Sequence, residues 1–386
     1  MIDKVNSLFK RGSIRGDALR IYAIQFLALS LGLIGSIIVA RTLGPTEKGV
    51  LDLFSLINSF IVELGLLGFG SGLLYYLANK GRPLSEVHGT GLAFSLAVGV
   101  LTALIGWLGL PLWRKVFPGL HDWVILLAFL LAPIAYYRLI WSNIMTGINQ
   151  AVASYRIGLY FSVINLPAVF TLWALGRLNA ENMVGLSSLL VVASSVAAFG
   201  MLCKREPGLG LSLPLAQDSL RYGLVIYVGF IANILHFKID QVMLNQWLGT
   251  SAVGIYTVSV RWAEMLFLLD SALIAAALFK ISSNSAEESY ALTKRLFKVQ
   301  LLISGGSGIL LAALAYPLIL ILYGKAYLEA VWPLILLVPG VFAWSVAKVL
   351  SQYLAYNRGK VWHPTSFALF GVIVNVALNF WLISKL

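Results

Sequence analysis

The chain has 386 residues, 59% hydrophobic and 11% charged, with a formal net charge of +12. A soluble domain carries roughly 25% charged residues, so this composition excludes a water-soluble globular fold and fits an all-α, polytopic integral membrane protein. The basic residues are scattered among short loops and form no tract, which excludes nucleic acid as partner. The single Cys203 excludes a disulfide framework and a thiolate metal site.

Taken in order, the apolar runs predict eleven membrane helices over 20–43, 51–78, 89–110, 122–147, 158–176, 184–202, 220–247, 255–278, 299–323, 334–356 and 364–383. The segment Met1 to Arg20 is basic, and the run after it is too long for a signal-peptide core, so it reads as a retained first helix. Between the first two spans lies Leu43-Gly44-Pro45-Thr46-Glu47-Lys48-Gly49-Val50. Between the seventh and eighth lies Leu248-Gly249-Thr250-Ser251-Ala252-Val253-Gly254-Ile255, the same pattern 205 residues later. An offset of that size marks two related bundles. It maps the first helix onto the seventh and the second onto the eighth, with the halves parallel. The expected organisation is an N-terminal six-helix bundle over 1–205 and a C-terminal bundle of five helices over 206–386, around a central cavity. A last helix is expected to be missing from the second half. The polar stretch Cys203 to Ser219 is the boundary. Ser282 to Lys298 reads as a short amphipathic cytoplasmic helix leading into the ninth span. The closing Ser384-Lys385-Leu386 matches a peroxisomal address, read as an accident of three residues.

Placing the N-terminus in the cytoplasm puts most Lys and Arg on the inner segments, from Lys4 and Lys10 to Arg358 and Lys360. Only Arg41, Lys48, Arg114, Lys115, Arg177, Lys325 and Lys385 fall outside. Trp107, Trp113 and Trp123 near span ends fit an aromatic belt. Pro133, Pro167, Pro317 and Pro339 fall in or near spans as potential bends, and Gly65, Gly68, Gly70 and Gly72 give a close-packing face.

Charge within the spans singles out Glu63, Arg138, Lys238, Asp240, Arg261, Glu264, Asp270 and Lys348, with Asp52 near the outer edge. Each charge at mid-bilayer costs at least about 2.5–3.5 kcal/mol and needs a partner or a wet cavity. Lys238 and Asp240 lie at the depth of Arg261 and Glu264 across one short loop. Either the four form a buried ion-pair network, or Lys238 and Arg261 face a cavity and hold an anion. Arg138 and Lys348 have no acid on the same helix face and are the better cavity cations. Their alternative is pairing with Glu63 or Asp270. Glu63, Asp240, Glu264 and Asp270 are the candidate ion-coupling or pairing acids, for H+ or Na+. His88, His121, His236 and His363 are dispersed and carry no metal-site pattern.

The run Ala40-Arg41-Thr42-Leu43-Gly44-Pro45 with Gly49 resembles the first outer loop of Wzx-type polysaccharide flippases, in the multidrug/oligosaccharidyl-lipid/polysaccharide (MATE/MOP) exporter superfamily. Lys238-Ile239-Asp240-Gln241 through Leu248-Gly249 to Val253-Gly254-Ile255-Tyr256, and Leu220-Arg221-Tyr222-Gly223, are similar to that family's helix 7–8 region. The resemblance covers nearly the whole chain. It implies two bundles around an often cationic cavity, alternating access, and translocation of lipid-linked (undecaprenyl pyrophosphate) oligosaccharide across the bacterial cytoplasmic membrane. It implies no enzymatic step and no cofactor. Its partners would be the lipid-linked glycan, membrane lipids and other polysaccharide assembly proteins. The family usually has at least twelve helices, and this chain shows eleven. A drug or cation antiporter of the same superfamily is the alternative, favouring acids and aromatics in the cavity. A membrane glycosyltransferase or polymerase is a further one, but Asp122 and Glu329 stand isolated in short loops and give no acid–base pair.

Overall fold

A computed structural model describes the backbone of residues 14–383 apart from 284, 359 and 361. It describes side chains over that range except at 14, 15, 17–19, 269–280, 282, 283, 286, 355, 356, 362, 364, 365, 382 and 383. The basic N-terminal residues before 14 and the closing tripeptide lie outside the described residues. The described backbone is helical with short connections and contains no strand.

The helices are α1 (Ile14–Gly65), α2 (Phe69–Lys80), α3 (Leu84–Leu108), α4 (Leu110–Val116), α5 (Asp122–Leu130), α6 (Ala132–Gly147), α7 (Ala151–Ala174), α8 (Ala180–Arg205), α9 (Leu213–Ser283), α10 (Ala286–Leu322), α11 (Val331–Gln352) and α12 (Trp362–Ile383). All eleven expected spans fall on helix. Among the described residues, eight helical segments are long and apolar enough to cross a membrane. One of these, Arg20–Gly65, has 46 residues, or about 69 Å at 1.5 Å per residue. That is more than twice the roughly 30 Å of a hydrocarbon core.

The excess length is explained at Gly44 and Gly249. The two Leu-Gly motifs are not the loops their polar residues suggest. In each, helix runs up to and away from a single glycine, Gly44 at φ 74°, ψ 178° and Gly249 at φ 81°, ψ −177°. A side chain is strongly disfavoured at those angles. Pro45 then occupies a first-turn position, where its missing N–H leaves nothing unpaired. The chain reverses at both glycines. Ile24 and Ala28 from one side of Gly44 line the same cavity as Asn58 and Val62 from the other. Across Gly249, Tyr256 donates a hydrogen bond to Asp240. Three expected spans are interrupted, the third span at Gly109 between α3 and α4. The second breaks at Leu67 and Gly68, both with positive φ. The fourth has a one-residue break at Leu131, after which Pro133 opens α6 rather than bending it.

The chain forms two compact units. One comprises Met1–Leu43 with Leu53–Ile231, the other Gly44–Asp52 with Ala232–Leu386. In the first, α3 packs against α5 and α6 through glycines. A Cβ at Gly91 would meet Ile140 at 2.7 Å, at Gly99 Pro133 at 2.4 Å, and at Gly106 Phe129 at 2.3 Å. Such spacing lets backbones approach where lipid supplies no hydrophobic drive between helices. Tyr136 is fully buried, its hydroxyl 3.1 Å from the Ile61 carbonyl and 2.9 Å from Thr102. Buried His88 lies 3.0 Å from the Tyr137 hydroxyl. The stretch after α8 is tied to α3, with Gly210 N–H donating to Ser85 O and Ser212 N–H to Thr90 Oγ1, both at 3.0 Å. The glycine face of the second span also packs: Gly68 meets Gly223 and Gly72 meets Ser219. On the exposed side, Arg114 Nε donates to Asp122 at 2.7 Å and ties the short α4 to the start of α5.

In the second unit the two Leu-Gly motifs pack against each other. A Cβ at Gly49 would lie 1.8 Å from the Thr250 carbonyl oxygen, and one at Gly254 would lie 2.1 Å from the Pro45 carbonyl oxygen. The contact is reciprocal, because Pro45 corresponds to Thr250 and Gly49 to Gly254 in the repeat. Further along the same arm, Ser259 donates to Ala330 O at 2.7 Å. The segment read as an amphipathic helix leading into the ninth span is the start of α10, continuous with that span and opened by a capping box between Ser285 and Glu288. Asn357 donates to Ile281 O and lies 3.0 Å from Ser289 Oγ, tying that helix start to the end of α11.

Candidate functional site

The first unit contains a cavity of about 730 Å³ whose walls come from both arms of α1 and from α6, α7 and α8. Each wall is one helical face. On α1 the residues are Ser55, Asn58, Ser59 and Val62, on α6 Ala135, Arg138, Leu139 and Ser142, on α7 Ser154, Tyr155, Gly158 and Ser162, and on α8 Ser187, Ser188, Val191 and Ser194. The spacing of three and four follows from 3.6 residues per turn.

Arg138 is half-buried on the α6 wall. Its guanidinium lies 4.6 Å from the Trp141 ring centroid, and Nη2 reaches the Ser154 carbonyl at 3.4 Å. The ring restrains the cation from one side, a contact worth about 0.5–2 kcal/mol. Among the described residues no carboxylate forms an ion pair with Arg138, so its charge is available to the cavity. Glu63 lines the same space from α1. Ser142 and Ser154 share a hydrogen bond of 2.8 Å between α6 and α7 beside the guanidinium.

The remaining expected site residues belong to the second unit, and of these Lys238, Asp240, Arg261, Glu264 and Lys348 do not line this cavity. Asp240 is 8% exposed and accepts from the Tyr256 hydroxyl and from the Gln241 N–H. The structure thus gives Asp240 a neutral partner on the facing arm, where the sequence suggests Arg261. Lys238, Glu264 and Lys348 are half-buried and Arg261 is exposed. The side chain of Asp270 lies outside the described residues.

One charged cluster escaped the sequence reading. Lys48 is 4% exposed rather than in an outer loop, and pairs with Asp52 one turn on, also away from the surface. Thr257 donates to the same carboxylate. Lys48 and Asp52 are four apart, the spacing of helical neighbours. That was the available signal, hidden by the loop-like composition of Pro-Thr-Glu-Lys.

A break-punctuated, helical membrane protein with a serine-lined cavity inside one unit has clear structural counterparts. A multidrug resistance MATE family transporter of the MOP superfamily, inward-facing, matches with a TM-score of 0.62 at 16% identity, over 93% of this chain and 95% of that one. The MATE multidrug transporter DinF-BH matches at 0.62 and 14%, over 96% and 94%. A MOP superfamily transporter from Pyrococcus furiosus, described as having a binding pocket of reversed polarity, matches at 0.51 and 15%, over 97% of both chains. The fold is that of the MATE/MOP transporters, and the helices long and apolar enough to cross a membrane make the chain a multi-pass membrane protein. Residues 38–332 match the model of the polysaccharide biosynthesis protein family, and the chain belongs to that family. No curated protein matches the sequence.

Proposed function

We propose that the chain is a flippase carrying lipid-linked oligosaccharide, on an undecaprenyl pyrophosphate carrier, across the bacterial cytoplasmic membrane for surface polysaccharide assembly. The observation that carries this reading is Arg138, a half-buried guanidinium on a cavity wall with an aromatic ring behind it and no ion-paired carboxylate among the described residues. A phosphate cannot enter hydrocarbon without replacement of its hydration. A guanidinium replaces it with paired, charge-assisted hydrogen bonds. The carrier tail stays in lipid while the head occupies the cavity, and no covalent step is needed. Lys238, Arg261 and Lys348, which belong to the second unit, are further candidate cations for an anionic cargo group.

The test is surface-glycan export in a strain lacking its own flippase. Arg138→Ala removes charged hydrogen bonds worth about 1.5–3 kcal/mol, a loss of roughly 10- to 150-fold in cargo affinity. Export should fall while the protein stays in the membrane, and Arg138→Lys should retain part of it. Export at the wild-type level by Arg138→Ala would remove the basis of the proposal.

Glu63 on the same cavity wall supports a second reading, a drug or cation antiporter coupled to H+ or Na+. Under that reading Glu63→Gln abolishes efflux of a cationic dye, and Arg138→Ala does not impair it.

A further inference from the structure

The cavity beside Arg138 is rich in hydroxyls, and most of their protons are already committed. Ser59 donates to Ser55 O at 2.9 Å, Ser162 to Gly158 O at 3.0 Å and Ser194 to Val191 O at 2.9 Å. Ser187 and Ser188 both donate to Val184 O, at 2.9 and 2.7 Å. Asn58 spends one amide proton on Phe54 O at 2.8 Å. A hydroxyl has one proton and two lone pairs. With the proton turned back along its own helix, the oxygen presents only lone pairs to the cavity. These serines therefore form an array of acceptors on α1, α7 and α8, beside the Arg138 guanidinium on α6 and the smaller set of donors on Gln25, Asn58 and Tyr155.

We propose that this array selects an uncharged, hydroxyl-rich glycan next to the phosphate, binding it by accepting protons from the sugar hydroxyls. The proposal rests on the phosphate-binding reading of Arg138 and specifies the cargo of the same site. A neutral sugar brings one O–H donor per free hydroxyl and satisfies the serine oxygens as it enters. An acidic sugar brings carboxylate oxygens that need donors, and the serines have turned theirs away. Its carboxylate would compete with the phosphate for Arg138 or lie among serine acceptor oxygens and the Glu63 carboxylate, which is costly. The cavity volume lies within the roughly 300–1,000 Å³ of small-ligand sites. It fits the carrier-proximal end of a glycan and not a polymer.

The experiment measures binding by calorimetry to the full chain in nanodiscs, with four probes. These are farnesyl diphosphate, farnesyl diphosphate bearing one glucose, the same lipid bearing a deoxyfluoro glucose, and the same lipid bearing glucuronic acid. Fluorine removes the donor with little change in size. The glucosyl lipid should bind about tenfold or more tightly than farnesyl diphosphate, as two or three accepted hydrogen bonds would give. The deoxyfluoro lipid should lose about one hydrogen bond's share of that advantage, and the glucuronyl lipid should bind no better than farnesyl diphosphate. The double substitution Ser187→Ala with Ser194→Ala should shrink the glucosyl advantage. Equal binding of the glucosyl and deoxyfluoro lipids, or binding of the glucuronyl lipid as tight as the glucosyl one, overturns the acceptor-array proposal and leaves the phosphate reading standing. If neither farnesyl diphosphate nor its glucosyl form binds, the phosphate reading fails and this proposal fails with it.

Discussion

Replacing Gly49 by Ala perturbs the place where the two Leu-Gly motifs touch. The new Cβ would lie 1.8 Å from Thr250 O, and the symmetry-related change at Gly254 would put one 2.1 Å from Pro45 O. Carbon–oxygen contacts settle near about 3.3–3.6 Å, so the arms must part by roughly 1.2–1.8 Å. The obstacle is backbone and cannot rotate away. A gap of about 0.5–1 Å already forfeits a quarter to a half of each dispersion contact. The expected cost is that of overpacking, about 1–3 kcal/mol. Gly32→Ala is the control, because nothing lies within 4 Å of a Cβ there. In a helix interior it gains about 0.5–1 kcal/mol. Thermal unfolding of the purified protein in detergent should therefore show Gly49→Ala and Gly254→Ala melting below wild type and Gly32→Ala at or above it. The two damaging changes should not add, since arms already parted by one have room for the other. A Gly49→Ala protein as stable as Gly32→Ala, or fully additive losses in the double variant, would refute the close crossing.

Three further sets of substitutions test the second unit. Gly44→Ala and Gly249→Ala force a side chain into backbone angles that glycine alone tolerates, and each should cost about 1–3 kcal/mol, read as a lower unfolding midpoint. Lys48→Met leaves the half-buried Asp52 carboxylate with Thr257 but without its ion-pair partner and should cost up to about 3–5 kcal/mol. Adding Asp52→Asn should recover much of that loss, whereas equal stability of Lys48→Met and wild type would place the pair at the surface. Tyr256→Phe removes the donor to Asp240 and should cost about 1–3 kcal/mol. Tyr256→Phe with Asp240→Asn should be less destabilised than the single changes imply if the two groups are coupled.

The helices were legible in the sequence because apolar runs of that length have few other uses, and every expected span falls on helix. The breaks between them were harder to read. Gly44 and Gly249 were visible as a repeat, but a polar Pro-Thr-Glu-Lys looks like a loop whether it is solvated or the first turn of a buried helix. Only the packing of Gly49 against Thr250 decides which. Arg138 and Glu63 stood out because charge in an apolar run is expensive. The serines around them did not, since a hydroxyl bonded back to its own helix is nearly silent in a hydrophobicity pattern. Asp240 was visible as a buried acid, but its partner depended on side-chain direction. Tyr256 and Arg261 are five residues apart on one arm, and their helical rotation puts the tyrosine, not the arginine, against the carboxylate.

The meeting of Pro45 to Gly49 with Thr250 to Gly254 has the form of a homodimer contact enclosed within one polypeptide. A true homodimer would be obliged to duplicate whatever it placed there. Two ammonium groups and two carboxylates would crowd a dry junction, with like charges near one another. Fusion lifts that obligation, and the positions that correspond to Lys48 and Asp52 are Val253 and Thr257. A single ionic pair is thus installed on one side, opposite a valine and a hydroxyl that donates to it. The junction keeps the geometry of symmetry without its electrostatic penalty.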